Sequence, residues 1–251
     1  YFISKRCEGY GSCVELCPKN AISLDLKKKV DRKKCSLCMK CVDACPYSAF
    51  LKVGREVTID EVMEEVEKDS QFYGSDGGLT VSGGEPFYQP GFTIALLKKS
   101  KEKGISTVLD TSGYARRELV EEALKYIDLV LFDIKHMNPE KHKEGTGVSN
   151  QLILDNARLI SKMCNVRISM PLIPGYNNSE ENLVQTAKFA ISIGVEWVDI
   201  LPLHSLGASK YAYLGLKPMY DVFGQITKEE LRKAKETFYY YGLKTTIGRM
   251  M

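Results

Sequence analysis

Two cysteine motifs near the start of the chain restrict its fold more than any other feature. "CSLCMKCVDACP" (residues 35–46) has the spacing C-x2-C-x2-C-x3-C-P, and "CEGYGSCVELCP" (residues 7–18) repeats it with Tyr10 in the second cysteine position. Three closely spaced thiolates and a later Cys-Pro are typical of a [4Fe–4S] cluster site. We therefore predict that residues 1–54 form a small module stabilised by metal clusters rather than by an apolar core.

The density of cysteines leaves two other interpretations open. Seven of the eight cysteines lie between residues 7 and 45, a density also found in zinc modules and secreted disulfide frameworks. A zinc site explains neither the third cysteine of each triplet nor the repeated Cys-Pro, and disulfide frameworks do not need so regular a spacing. Two iron–sulfur clusters are therefore favoured over zinc and over disulfides.

The duplicated motif resembles a bacterial ferredoxin, in which the last cysteine of each motif serves the other cluster. By this resemblance one cluster has four cysteine ligands and the other has three. The complete set is Cys17, Cys35, Cys38 and Cys41, and the three-cysteine set is Cys7, Cys13 and Cys45. Short strands are expected after each half, at residues 21–26 and 49–53.

Tyr10 allows two interpretations of the three-cysteine site. The site retains a cluster, either [3Fe–4S] or [4Fe–4S] with water, tyrosinate or another oxygen ligand on the open iron. Alternatively, Tyr10 packs over a site that no longer binds iron. The three remaining ligands at cluster spacing favour a retained cluster.

Strands and helices alternate from residue 55 to the end of the chain. Expected strands are residues 78–83, 105–111, 128–135, 166–172 and 195–203, with helices near 91–103, 116–126, 151–163 and 180–192. An earlier helix begins after Thr58, which forms a capping box with Glu61. The strands are almost continuously apolar, as in a parallel sheet covered by helices. Serial βα units predict an α/β fold, a barrel or partial barrel over residues 55–251.

Polar residues follow each predicted strand, in "SGGEP" (82–86), "LDTSGY" (109–114), "FDIKHM" (132–137), "VRISMPLIPGYN" (166–177) and "LPLHSLG" (201–207). Each segment alone has an ordinary structural explanation, such as a turn, a helix cap or an Asp133–Lys135 salt bridge. The carboxyl ends of parallel strands meet at one edge, so together they predict a ligand site. The residue types suit an amino acid fused to a nucleoside, and no P-loop pattern is present for a nucleoside triphosphate.

Five segments carry a specific resemblance: "GGEP", "LDTSGY", "DIKHMNPEKHKEGTGVSN", "MPLIPGYNNSEEN" and "LPLHSLGASKY". They resemble the glycyl-radical-enzyme activating enzymes of the radical S-adenosylmethionine superfamily, in the subgroup with a two-cluster ferredoxin insert. The resemblance implies a partial (β/α) barrel with a small ferredoxin-like α+β module. It also implies reductive cleavage of S-adenosylmethionine to a 5′-deoxyadenosyl radical, which installs a glycyl radical on a partner enzyme.

The resemblance also implies roles for residues at the strand ends. The cofactor-binding set is Gly83, Gly84 and Glu85 at the methionyl amino group, Asp133, Lys135 and His204 at the ribose and carboxylate side, and Arg167 nearby. A monovalent cation beside the carboxylate would lie between Asp110, Thr111 and Asp133.

One departure from the family pattern is large. The C-x3-C-x2-C loop that binds the catalytic cluster in the family does not occur in this sequence. By the resemblance it follows the first barrel strand and precedes the insert, so we expect both to lie before Tyr1 and this fragment alone to be inactive. No catalytic residue is assigned within the chain, and Cys164 is interpreted as a core thiol.

Charge and hydropathy exclude several partners. A net charge of +3 gives no reason to expect nucleic acid, and no apolar run is long enough to span a membrane. We expect a cytoplasmic monomer that works with a glycyl radical enzyme and with a flavodoxin- or ferredoxin-type electron donor. Two alternatives remain open: a ferredoxin-like electron-transfer or binding module on a non-catalytic barrel, and a radical S-adenosylmethionine enzyme acting on a small molecule.

The unequal ligand sets predict unequal effects of cysteine removal. Cys38→Ala should lower iron content and the yield of folded protein more than Cys7→Ala, because Cys38 belongs to the set of four thiolates. Iron counting on anaerobically purified variants measures the difference. Equal iron loss from the two variants would contradict the unequal ligand sets.

Overall fold

The computed structural model describes residues 1–26, 29–74, 77–217 and 224–248. The chain divides into two compact units, the first comprising Tyr1–Glu56 and His204–Val222 and the second comprising Val57–Leu203 and Phe223–Met251. The first unit therefore includes a segment of the chain that the sequence assigned to the barrel. Of the helices formed by the described residues, none is both long and apolar enough to cross a membrane.

The first unit has little regular structure. Within its described cysteine-rich part, one-turn helices form at α1 (Ser12–Glu15) and α2 (Lys40–Asp43), and each contains the third cysteine of a motif's triplet, Cys13 or Cys41. Instead of the two predicted strands, the described residues form single antiparallel bridges, Ile22 with Val30 and Phe2 with Phe50. The apolar centre is small, and half-buried cysteines pack against Phe2, Ile22, Ala49 and Phe50.

The second unit is built on a six-stranded parallel sheet in the order β1-β2-β3-β4-β5-β6. The strands are β1 (Gly78–Val81), β2 (Ser106–Thr111), β3 (Leu129–Asp133), β4 (Asn165–Leu172), β5 (Trp197–Pro202) and β6 (Lys244–Ile247). The order follows the chain without reversal, as in a barrel rather than a doubly wound sheet. The predicted partial (β/α) barrel is confirmed, and β6 is an additional strand that the sequence did not predict.

Helices connect the strands. In chain order they are α3 (Ile59–Lys68), α4 (Pro90–Glu102), α5 (Arg117–Leu124), α6 (Pro139–Thr146), α7 (Gln151–Ile160), α8 (Glu180–Ser192), α9 (Ala208–Leu214) and α10 (Lys228–Tyr240), of which α9 belongs to the first unit. The predicted capping box of α3 is present, and Thr227 and Glu230 form a second one at α10. Apolar side chains from α4, α5, α7, α8 and α10 pack into one core with the sheet.

The two faces of the sheet differ in chemistry. Strand alternation places residues such as Phe132, Ile168 and Ile200 against the helices, where they are fully buried. The register aligns Asp133 with Ser169, Ser169 with Asp199, and Asp199 with Thr246 across β3 to β6. The opposite face therefore carries a row of polar side chains where the sequence predicted nearly continuous apolar strands.

Candidate functional site

The ends of β1 and β2 are joined through one carboxylate. Glu85 accepts hydrogen bonds from the Thr111 hydroxyl at 2.5 Å, the Ser112 backbone N–H at 2.9 Å and the Ser112 hydroxyl at 2.6 Å. It also accepts a 3.1 Å bond from the backbone N–H of Phe87. Alongside, the Ser82 hydroxyl donates to Asp110 at 3.0 Å. The predicted residues Glu85 and Thr111 are thus in direct contact, and Glu85 holds the two strand ends together.

The glycines before Glu85 leave the backbone accessible. Gly83 has a φ of +133°, a conformation that side-chain-bearing residues rarely adopt. A Cβ atom added at Gly83 or Gly84 would meet no other atom within 4 Å, so open space adjoins the main chain. This segment lines a groove of about 430 Å³. An extended ligand can therefore approach these peptide groups closely, as the role predicted from sequence requires.

Asp133 and Lys135 form an ion pair at the end of β3. This is the salt bridge that the sequence analysis gave as the structural explanation of the segment. Both side chains are partly buried, at 22% and 36% exposed. A buried asparagine supports the backbone just after β3: the Asn177 amide donates to the backbone carbonyls of Lys135 at 2.8 Å and of Pro171. Asn177 in turn accepts the Ile173 N–H through its side chain at 2.7 Å, which ties the loops after β3 and β4 together.

Arg167 has a partner within the sheet. Its guanidinium forms a two-bond ion pair with Asp199, through Nε at 3.0 Å and through Nη2, and it lies 4.6 Å from the centre of the Trp197 ring. Asp199 is only 3% exposed and also accepts a 2.5 Å bond from the Thr246 hydroxyl. Arg167 therefore neutralises a buried carboxylate.

His204 is the first residue of the segment that belongs to the first unit. Its side chain is exposed, and Nδ1 accepts a 3.3 Å hydrogen bond from the backbone N–H of Leu206. Cys164, by contrast, packs against the core of the second unit and donates to the Ile127 carbonyl at 3.6 Å. Burial raises the pKa of the Cys164 thiol to about 11, so this cysteine is a structural thiol.

The cysteines of the first unit line two separate cavities. Four of them surround a cavity of about 250 Å³, and they are Cys17, Cys35, Cys38 and Cys41. The remaining three line a second, smaller cavity together with Tyr10 and Lys29, and they are Cys7, Cys13 and Cys45. No three Cys, His, Asp or Glu side chains in the described ranges stand close enough to share a single metal ion. The two cavity linings contain the same two sets of cysteines that the ferredoxin resemblance implies, and their role as cluster ligands stays a prediction.

Backbone amides stabilise two of these thiols in the deprotonated form that binds iron. The N–H of Ala21 donates to Cys17 Sγ at 3.2 Å, and the N–H of Ala49 donates to Cys45 Sγ at 3.3 Å. The first of these bonds lowers the pKa of Cys17. Burial acts to raise the pKa of Cys45, but the amide of Ala49 and its neighbours outweigh burial and lower it. Burial raises the pKa of Cys13 and Cys41 instead, so the amide bonds favour the thiolate at Cys17 and Cys45 in particular.

Tyr10 does not fill the interior of the three-cysteine cavity. It is 70% exposed, although it contributes to the cavity wall. A tyrosine that had replaced a lost cluster by packing into its space would be buried. The position of the ring therefore supports the interpretation in which the site keeps its cluster.

Several residues of these sites were not identified from the sequence. Ser112, Asp199 and Asn177 make the contacts described above, and Lys29 lies on the three-cysteine cavity. Asp199 carried a signal, because a carboxylate in the middle of an apolar strand requires a partner. Lys29 carried no such signal, because it is the last of three consecutive lysines, a pattern typical of an exposed segment.

Comparison with known protein families and relatives identifies proteins that this chain is similar to. Residues 35–187 match the family model described as the radical SAM superfamily. An isethionate sulfite-lyase activating enzyme from Oleidesulfovibrio alaskensis is 43% identical over 218 residues, which span 84% of this chain and 70% of that protein. A 4-hydroxyphenylacetate decarboxylase activating enzyme from Clostridium scatologenes is 36% identical over 253 residues, spanning 98% of this chain and 81% of that protein.

Solved structures show the same fold. A domain of a pyruvate-formate lyase-activating enzyme from Bacteroides vulgatus aligns with a TM-score of 0.59 at 32% identity, covering 68% of this chain and 99% of that chain. SuiB from Streptococcus suis, bound to its precursor peptide, aligns with a TM-score of 0.61 at 16% identity, covering 79% of this chain and 44% of that chain. The second likeness concerns the fold alone.

The Arg167–Asp199 pair yields a stability prediction. Arg167→Met should destabilise the protein by about 2–3 kcal/mol, because it leaves a buried carboxylate without its cation; the partial exposure of Arg167 places the cost below that of a fully buried pair. Urea unfolding measures the change. Arg158→Met is the control, since the exposed Arg158–Asp155 pair should contribute less than about 1 kcal/mol.

The double variant Arg167→Met/Asp199→Asn should recover much of this loss, because it removes the unpaired charge as well. If Arg167→Met cost no more than Arg158→Met, the pair would not be a structural element of the sheet.

Proposed function

The chain belongs to the radical SAM superfamily and to its activating enzymes of glycyl radical enzymes, and from this we propose the roles of its residues in that reaction. Enzymes of this group reductively cleave S-adenosylmethionine to a 5′-deoxyadenosyl radical that installs a glycyl radical on a partner enzyme. In this chain we assign the second unit to cofactor binding and the cysteine-rich first unit to electron transfer. The single observation that carries the cofactor assignment is the Gly83–Glu85 segment, with its open backbone tied by Glu85 to the end of β2.

The second unit would bind S-adenosylmethionine at the carboxyl ends of β1 to β3. The backbone of Gly83 and Gly84 would receive the methionyl amino group, and Glu85 would hold that backbone in place through its four hydrogen bonds. Asp133 and Lys135 would exchange part of their mutual ion pair for hydroxyl and carboxylate groups of the ligand. Asn177 would fix the backbone at Lys135, just after the end of β3.

We also propose a monovalent-cation site beside the ligand carboxylate. Asp110 is aligned with Leu131, two residues before Asp133, so both carboxylates lie on the polar face of the sheet. A cation between them would offset their mutual repulsion and that of the incoming carboxylate. Thr111, the third member, donates its hydroxyl proton to Glu85 and accepts the Gly113 backbone N–H at 2.9 Å, which leaves one lone pair of its oxygen for a cation.

The first unit would hold two iron–sulfur clusters, one in the four-cysteine cavity and one in the three-cysteine cavity. Their thiols require a reducing compartment, for which we propose the cytoplasm. The sequence contains no C-x3-C-x2-C motif, so none of these cysteines is assigned to the catalytic cluster. Electron transfer to that cluster is the role that two auxiliary clusters would serve.

The charge of the first unit suggests the electron donor. Residues 1–56 contain twelve Lys and Arg against six Asp and Glu, a formal net charge of +6. Exposed Arg32, Lys40 and Lys52 stand on the wall of the four-cysteine cavity, and the described lining of that cavity includes no acidic residue. An acidic carrier of flavodoxin or ferredoxin type complements this surface.

Charge reversal tests the donor site. Lys40→Glu/Lys52→Glu should slow reduction of the protein by reduced flavodoxin about tenfold or more at low salt, because it removes electrostatic steering. Reduction by a small chemical reductant should be unchanged, and Lys162→Glu, an exposed lysine of the second unit, is the control. An equal response of both variants would place donor docking elsewhere.

The function is tested by formation of the glycyl radical. The full-length protein, reconstituted anaerobically and supplied with reductant and S-adenosylmethionine, is incubated separately with isethionate sulfite-lyase and with 4-hydroxyphenylacetate decarboxylase, the partners named for its relatives. Electron paramagnetic resonance should show a glycyl radical on one of them. Cleavage of S-adenosylmethionine without any protein radical, but with turnover of a small molecule, would favour the alternative function.

Asp133→Ala tests the binding site. It should weaken S-adenosylmethionine binding about tenfold or more, since a charge-assisted hydrogen bond contributes about 1.5–3 kcal/mol, while the melting temperature changes little. Asp155→Ala, an exposed carboxylate on α7, is the control. Calorimetric titration measures the affinity of both variants for S-adenosylmethionine. Repeating the titration of the wild type without potassium and sodium tests whether a monovalent cation contributes to binding. Unchanged affinity in Asp133→Ala would remove Asp133 from the site.

A further inference from the structure

Lys29 is a buried cation. It is 3% exposed, and in the part of the chain that the structure describes it forms no ion pair with Asp or Glu. Asp31, two residues away, pairs at 3.8 Å with Lys34 instead. An ammonium group removed from water without a negative partner is costly, so a buried lysine of this kind requires a compensating charge.

The surroundings of Lys29 show where that charge would lie. Lys29 lines the same cavity as the three thiols Cys7, Cys13 and Cys45. Its Nζ atom is 5.8 Å from the centre of the Phe2 ring, which itself packs on Phe50 at 5.1 Å between ring centres. The aromatic pair holds the side chain in the small apolar core of the unit, against which the cysteines also pack.

We propose that Lys29 supplies the positive charge that balances the iron–sulfur cluster of the three-cysteine site and raises its reduction potential. This inference rests on the cluster assignment made above. A cluster with thiolate ligands carries net negative charge, and adding an electron to it is easier beside a buried cation, because the low local dielectric leaves the attraction weakly screened. The basic residues at the four-cysteine cavity are exposed, so water and salt screen their effect.

The two sites would then differ in two respects, the number of thiolates and the nearby buried charge. Tyr10 is too exposed to act on the cluster from within, whereas Lys29 acts from the interior wall. If the two clusters have unequal reduction potentials, an electron in the first unit resides preferentially on the cluster with the higher potential, which is the three-cysteine cluster under this inference.

The experiment compares Lys29→Met with Lys29→Arg in the anaerobically reconstituted full-length protein. Methionine keeps the length and apolar stem but removes the charge, and arginine keeps the charge. Lys33→Met, an exposed lysine outside the lining of the three-cysteine cavity, is the control. The readouts are iron and sulfide content and a potentiometric titration followed by electron paramagnetic resonance.

We expect Lys29→Met to lower the midpoint potential of the three-cysteine cluster while the four-cysteine cluster keeps its own. Lys29→Arg and Lys33→Met should leave both potentials near those of the wild type. If Lys29→Met instead loses iron from this site, restoration of iron by Lys29→Arg would equally support the need for positive charge.

Two clusters with an unchanged midpoint potential in Lys29→Met would overturn the inference, as would equal iron loss in the Met and Arg variants. Fewer than two clusters in the first unit of the wild type would instead overturn the cluster assignment on which it rests. Iron and sulfide counting on the wild type separates these two outcomes.

Discussion

The burial of one face of a parallel sheet beneath its connecting helices is the constraint on which the second unit depends. Parallel strands need crossover connections, and the helices of those connections cover the face that carries Phe132, Ile168 and Ile200. With the strands in sequential order, all of that packing is on one side. The other face is thereby free to carry charge, and Asp110, Asp133 and Asp199 stand on it.

Charge on that face is accommodated in two different ways. On β5 the negative charge of Asp199 is compensated within the protein, since its carboxylate accepts hydrogen bonds from both Arg167 and Thr246. At the end of β1 the Gly83–Glu85 segment is tied to the end of β2 and lines an open groove. The first arrangement stabilises the sheet, and the second leaves room for a ligand at its carboxyl edge.

The first unit is stabilised by different means. Among its described residues the buried apolar cluster consists of Phe2, Ile22, Ala49 and Phe50, and partly buried cysteines pack against it. Under the proposed cluster assignment, metal binding would contribute to its stability. The residues of α9 extend this unit: the backbone N–H of Phe2 donates to the carbonyl of Tyr213 at 3.0 Å, and the rings of Tyr1 and Tyr213 are 5.5 Å apart. A segment distant in sequence thus closes over the cysteine module.

The sequence by itself determined the spacing of the thiols, the βα alternation and the chemistry gathered after each strand, because all three are local patterns with a known period. In the second unit it predicted five of the six sheet strands and missed β6, which is only four residues long. The two strands that it predicted in the first unit are single bridges among the described residues. Only the tertiary structure decided which charges are buried. Arg167 pairs with Asp199 on the neighbouring strand, and Lys29 lies on a cavity although its sequence, a run of three lysines, suggests exposure. The sequence could not show this, because burial depends on what packs around a side chain and not on its neighbours in the chain.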